Sequence, residues 1–240
     1  MMKKVFRLIY NLAPLQFKKI LRRVRDFYQW DTYYQKSWSQ EGEDLILSRY
    51  FENLKANGFY VDVGAHHPLR FSNTYKFYKQ GWYGINIDAM PGSMDLFNRL
   101  RPRDINLEKA VLDSKQIMTY YAFNEPALNG FSKELTQHRD GQGNNKIIFK
   151  KDIETSTLEE ILDQYMPKGQ NIDFLSVDVE GLDFAVLKSN NWVKYSPELI
   201  LIEICGSMLD ELLNNEVTIF LRQFGYTICA KCMNTVIFKK

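Results

Sequence analysis

The chain has 240 residues, 45% of them apolar and 25% charged, with a formal net charge of +2. That length suits one large domain, or one domain with an appendage, and the balance excludes a disordered or fibrous protein. No uninterrupted apolar run reaches membrane-spanning length, and three cysteines, an odd number, argue against a disulfide framework.

The near-neutral total hides an asymmetry. Of 31 basic and 29 acidic residues, eight and one fall within residues 1–30, leaving 23 against 28 in the remainder. This predicts a basic amphipathic helical arm over 1–36 ahead of a second domain over 37–240. Pro14 suits a helix start better than an interior. From there Phe17, Ile20, Leu21, Val24, Phe27 and Tyr28 recur at helical spacing, while Lys18, Lys19, Arg22, Arg23 and Arg25 fill much of the remaining circumference. The arm reads either as a helix for an anionic membrane surface or as a packing helix with a solvated basic face. The acidic remainder offers no groove to continue a nucleic-acid contact, so nucleic acid is not an expected partner. Arg7 and Asn11 break the first apolar stretch and no small-residue cleavage site follows it. A cytoplasmic protein is expected, peripheral on a membrane if the arm binds one.

Ser39 followed by Glu41, Glu43 and Asp44 predicts a capped helix through Leu45, Tyr50, Phe51 and Leu54, closing near Asn57-Gly58. Phe59-Tyr60-Val61-Asp62-Val63 is too short for a helix and reads as a buried strand. Gly64 lets the chain turn tightly and a ligand approach the backbone. Ser72-Asn73-Thr74 starts the next helix, and Gly84-Ile85-Asn86-Ile87-Asp88 is a second strand whose terminal acid lies 24 residues after Gly64. A glycine turn after one strand and a carboxylate at the tip of the next is how doubly wound folds hold a nucleoside. Ile105-Asn106-Leu107 begins a third strand, with Val111 near its end and placed to line a bound base. Ile117 to Phe123 alternates like an antiparallel strand. Residues 124–146 lack periodicity and read as a long lid or binding loop.

Thr155-Ser156-Thr157 caps a helix through Ile161, Leu162 and Tyr165. Ile172 to Val177 is a further buried strand that runs into Asp178-Val179-Glu180-Gly181, and Leu199 to Ile204 is another, carrying Glu203. Tyr226–Cys229 and Thr235–Phe238 read as a closing antiparallel pair, in which Cys229 and Cys232 are incidental thiols. Together these describe an α/β, doubly wound sheet, mostly parallel with a C-terminal antiparallel hairpin. Asp62, Asp88, Asp178 and Glu203 all fall at strand ends, where such sheets bind ligands. If extended backbone persists through Val179, Asp178 and Glu180 point to one side. Asp178, Glu180 and His66 are then the candidate catalytic groups. A divalent metal shared by Asp178 and Glu203 is a variant of that reading.

These residues resemble the FkbM family of S-adenosylmethionine-dependent methyltransferases. The resemblance rests on Ser39-Gln40-Glu41-Gly42-Glu43-Asp44, Tyr60-Val61-Asp62-Val63-Gly64-Ala65-His66-His67-Pro68, Ser72-Asn73-Thr74, Gly81-Trp82-Tyr83-Gly84 and Phe174 through Asp183. It implies the seven-stranded Rossmann-like class I methyltransferase fold, with S-adenosylmethionine as cofactor. It also implies methyl transfer to an oxygen of a sugar, glycan precursor or similar small metabolite. Carried over, Asp62 and Gly64 border the methionine end of the cofactor, Asp88 its ribose, and Gln40 and Asp44 close over it, while Asp178 and Glu180 lie beside the transferred methyl. Two other classes use the same sheet. A nicotinamide-dependent oxidoreductase needs glycines where His66 and Leu69 stand, and a membrane-associated nucleoside-binding protein without catalysis needs only the fold and the arm.

Overall fold

In the computed structural model, residues 9–27, 35–52, 57–206 and 208–240 are described. Lys3, Lys4, Arg7, Tyr28 and Leu54 lie outside them. The chain divides into two compact units, Met1–Lys36 and Ser37–Lys240.

In the first unit helical backbone at 9–12 breaks before Pro14, and helix α1 (Leu15–Phe27) follows. The Pro14 carbonyl accepts from the amides of Phe17 and Lys18, at 2.9 and 3.1 Å. Proline therefore stands just outside the helix, where its missing N–H costs nothing.

The second unit is built on a seven-stranded sheet. Its strands are β1 (Phe59–Val63), β2 (Tyr83–Asp88), β3 (Ile105–Glu108), β7 (Phe174–Val177), β8 (Leu199–Glu203), β9 (Thr227–Lys231) and β10 (Thr235–Lys239). They lie in the order β3-β2-β1-β7-β8-β10-β9. All pairs from β3 to β8 are parallel, and β10 runs antiparallel to both neighbours. The chain builds outward from β1 to β3, then returns to add β7 on the other side of β1. That reversal opens a crevice at the carboxyl ends of β1 and β7.

Because side chains alternate along a strand, each face of this sheet carries its own core. Val61, Val63, Ile85, Ile87, Val177 and Ile202 point to one face, which the helices Leu158–Tyr165, Asp183–Lys188 and Glu216–Arg222 cover. Tyr60, Phe174, Leu199 and Leu201 point to the other, against Leu47 and Phe51 of the helix Glu43–Phe51, Phe77 and Trp82. The first of these covering helices starts on a capping box, with Thr157 and Glu160 each accepting the other's amide at 3.1 Å.

Two parts differ from the sequence reading. Val111 does not extend β3; it belongs to β4 (Ala110–Val111) of a separate three-stranded sheet, in the order β4-β6-β5. In that sheet β5 (Ile117–Phe123) pairs antiparallel with β6 (Ile147–Ser156), a strand that its charged, mostly exposed sequence conceals. The stretch 124–146 is also no plain loop. It leaves β5, bridges back at Tyr121–Gly130, forms the helix Lys133–Arg139 and returns into β6.

Candidate active site

A cleft of about 110 Å³ lies at the strand ends, between the β1 and β7 turns and beneath the 124–146 excursion. Its floor begins at Gly64, whose φ is +81° and whose amide donates to the Ile87 carbonyl at 2.9 Å. A Cβ there would collide with the Asp178 carbonyl oxygen, so glycine is required by the close passage of the two turns as well as by its backbone angle. The Asp178 amide in turn donates to the Val63 carbonyl at 3.0 Å.

Asp88 ends β2 and reaches into the same place. Its carboxylate accepts from the amides of His66 and Met90, each at 2.8 Å, which fixes the two loops flanking the cleft. Burial raises its pKa against those hydrogen bonds. His66 adopts φ +52°, rare for a residue with a side chain, and its ring faces Phe71 at a centroid distance of 6.2 Å. Burial, with Arg70 and His67 nearby, lowers its pKa, so the imidazole is neutral at neutral pH. Its Nε2 is buried and has no hydrogen-bond partner among the described residues. Such an orphan beside a cleft is a place for a ligand atom.

The acid group lies opposite. Strand β7 stops at Val177, and Glu180 takes φ +57°, so extended backbone does not persist through Val179. The expectation that alternation alone aligns Asp178 with Glu180 is corrected: a turn does it. Asp183 holds that turn, accepting from the amides of Val179 and Gly181 at 2.9 and 3.1 Å, and its own pKa rises to about 6 through burial. Asp178 lines the cleft and is exposed there. Burial raises its pKa well above the usual carboxylate range, and Glu203, Asp183, Glu180 and Asp62 add to the shift. Glu180 also lines the cleft but is paired with Arg139 at 2.7 Å. Glu203 borders an adjoining hollow shared with Gln40 and Asp178, and burial raises its pKa. Among the described residues no three His, Cys, Asp or Glu side chains are grouped to hold a metal ion.

The structure thus brings Gln40, Gly64, His66, Asp88, Val111, Asp178 and Glu180 to one cleft. It places Asp44 and Asp62 elsewhere. Asp44 is fully buried and accepts from Ser37 Oγ, the Trp38 amide and Ser39 Oγ at 2.7–3.1 Å, shaping the loop that carries Gln40. Asp62 points to the opposite sheet face, where it accepts from Thr74 Oγ1 at 3.0 Å; burial raises its pKa to about 6.

Sequence reasoning missed the roof and the far wall. Asn129 and Phe131 enter from the excursion, and Tyr120 and Lys109 from the side. Asn129 accepts from the Phe123 amide at 2.7 Å and contacts Met90 Sδ at 3.4 Å. Arg70–Glu125 at 2.9 Å and Arg139–Glu180 tie the excursion to both flanking turns. The chemistry of the lining is mixed: carboxylates at the floor, a neutral imidazole, and apolar walls from Ile87, Ala89, Val111 and Leu182. Apolar walls suit a flat base, carboxylates accept from ribose hydroxyls, and an acidic field suits a cationic centre. The residues therefore fit an adenosyl sulfonium.

A family profile described as the methyltransferase FkbM domain matches residues 62–228. No curated protein matches the sequence. Among solved structures, an O-methyltransferase from Bacillus cereus, in complex with SAH, is similar over 98% of this chain and 96% of its own. The identity is 10% and the TM-score 0.35, and at that distance nothing about this chain follows from it.

Proposed function

The chain belongs to the methyltransferase FkbM domain family, and from that membership and the cleft we propose an S-adenosylmethionine-dependent O-methyltransferase. Its proposed acceptor is a hydroxyl of a sugar, glycan precursor or related small metabolite. The observation that carries the reading is the convergence of Gly64, Asp88 and Asp178 on one cleft at the reversal of strand order. When bound, S-adenosylmethionine supplies an electrophilic methyl on a sulfonium that already carries its leaving group. Asp88 would hold the ribose hydroxyls with the lone pairs its two amide donors leave free. Ile87, Ala89 and Val111 would flank the base, and Gln40 would close the side.

What remains for the protein is to align an oxygen and take its proton. Asp178 is the residue for that task. Its raised pKa makes the carboxylate a stronger proton acceptor than an ordinary aspartate, and it is open to the cleft. Glu180 is already engaged by Arg139 and serves to hold the turn. His66, neutral with a free Nε2, can accept from or donate to the acceptor hydroxyl.

The test is calorimetry with S-adenosylhomocysteine and NAD, followed by transfer of labelled methyl from cofactor into a glycan and metabolite extract. The expected result is binding of the first ligand only and label recovered as an ether. Asp178→Asn should keep cofactor affinity and lower transfer by about 10²–10⁴, the usual loss of a general base. Binding of NAD, or full transfer by Asp178→Asn, overturns the assignment.

A further inference from the structure

The arm carries a feature that the cleft does not use. Helix α1 has thirteen residues, and at 100° per residue its side chains sort into two arcs. Phe17, Ile20, Leu21 and Val24 fall within one arc, joined by Phe27 from the sequence. Lys18, Lys19, Arg22, Arg23 and Arg25 fall within the other, interrupted by Asp26 and by Leu15 in the first turn. In a helix of a folded core the apolar arc is covered. Here Phe17 and Ile20 are 57% and 56% exposed and Val24 is 39% exposed. Lys19 and Arg23 on the other arc are exposed as well.

An uncovered apolar arc backed by cations matches one kind of surface, a bilayer with anionic headgroups. There the apolar side chains enter the acyl boundary and the long basic side chains reach back to the phosphates. An acidic protein groove would also match the charge. A helix in such a groove buries its apolar side among fixed partners and keeps only part of its cationic arc in contact, whereas here the cations spread to both margins of the opposite arc. At about 20 Å in length the helix cannot cross a bilayer, and among the described residues no helix is long and apolar enough to do so. We infer that α1 lies in the plane of an anionic membrane, with Phe17, Ile20 and Val24 inserted and Lys18, Lys19 and Arg23 on the headgroups. This holds the enzyme where lipid-linked or membrane-delivered acceptors are concentrated, and it stands independently of the reading of the cleft.

The experiment is sedimentation of the full chain with phosphatidylserine-containing vesicles and with pure phosphatidylcholine vesicles, over a range of salt. Binding to the anionic vesicles alone is expected, falling as salt rises. Ile20→Asp with Val24→Asp should abolish it. Lys19→Gln and Arg23→Gln, which leave the helix pattern intact, should each weaken it about fivefold, ~1 kcal/mol per charge. Absence of binding to anionic vesicles, equal binding to neutral ones, or unchanged binding by the Lys19→Gln, Arg23→Gln double variant each overturns the inference. If the aspartate pair unfolds α1 by circular dichroism, the glutamine pair decides alone.

Discussion

Two groups of acids belong to the same sheet, one enclosed on a face and one at the strand ends, and they are built in opposite ways. On one face Asp104 and Arg101 are both fully enclosed as side chains and paired at 2.7 Å. Tyr60 Oη donates to Asp104 at 2.8 Å, Arg101 donates to Tyr60 Oη at 2.8 Å, and the Gly84 amide and Asn86 side chain complete the Asp104 shell at 3.0 and 2.9 Å. Asp62 adjoins this network. At the strand ends, Asp178, Glu180, Asp183 and Glu203 lie close together, and Arg139 pairs with Glu180. A buried carboxylate answered by a cation, a hydroxyl, an amide and a side-chain amide is scaffold. An acid group left with raised proton affinity and an open face has its strain retained for a ligand.

Three experiments press on that contrast. The largest effect is expected where compensation is complete: Arg101→Met leaves Asp104 buried without its cation and should cost about 3–5 kcal/mol of folding stability. Denaturant titration measures it, and Asp178→Asn in the same titration should be neutral or stabilising, because it removes an uncompensated charge. Equal destabilisation by both would erase the distinction.

Next comes pH. Asp62 and Asp183 have pKa values raised from 3.8 to about 6, so between those values the folded chain holds protons that the unfolded chain has released. Stability therefore falls as pH rises through that window and stays lower above it, by about 3 kcal/mol for each group. In Asp62→Asn the difference in denaturation midpoint between about pH 4.5 and about pH 7 should shrink accordingly. An unchanged difference would assign the effect to other groups.

The smallest effect is expected at Glu180→Gln, which releases Arg139 from a partly exposed pair. A stability loss of about 0.5 kcal/mol is the scale for such a pair. A loss of several kcal/mol would place this pair with the compensated network instead.

Much of this was legible in the residues. Short apolar runs ending in an acid or glycine mark β1, β2, β7 and β8, and the Gly64 turn and Asp88 follow from them directly. What was not legible has physical causes. Asp62 looks like a site acid because both faces of a central strand are buried, and the period of two then does not reveal which face meets the ligand. Asp44 enters through the family resemblance, and in the first turn of its helix it is engaged by the Ser37, Trp38 and Ser39 donors instead. Nothing in the sequence points to Arg101 and Asp104, which gain their partners only when the sheet brings Tyr60 and Asn86 to them across 41 and 18 residues. Strand β6 escaped notice because it is charged and mostly exposed, and such a strand needs no apolar alternation to pair through its backbone. With β6 unseen, Asn129 and Phe131 had no frame to place them over the cleft.

The 124–146 excursion has one more consequence. Its two ends are clamped by backbone pairing, with the Asn124 amide donating to the Lys146 carbonyl at 3.1 Å, and its helix packs Leu135 against Gly181. The span between the clamps can therefore be exchanged for another of different length at small entropic cost, since closure depends only weakly on loop length once the ends are fixed. Such an insert would arrive already seated over the acid turn. The roof of the cleft is thus a replaceable cartridge, set on a sheet, a Gly64 crossing and an Asp88 anchor that do not depend on it.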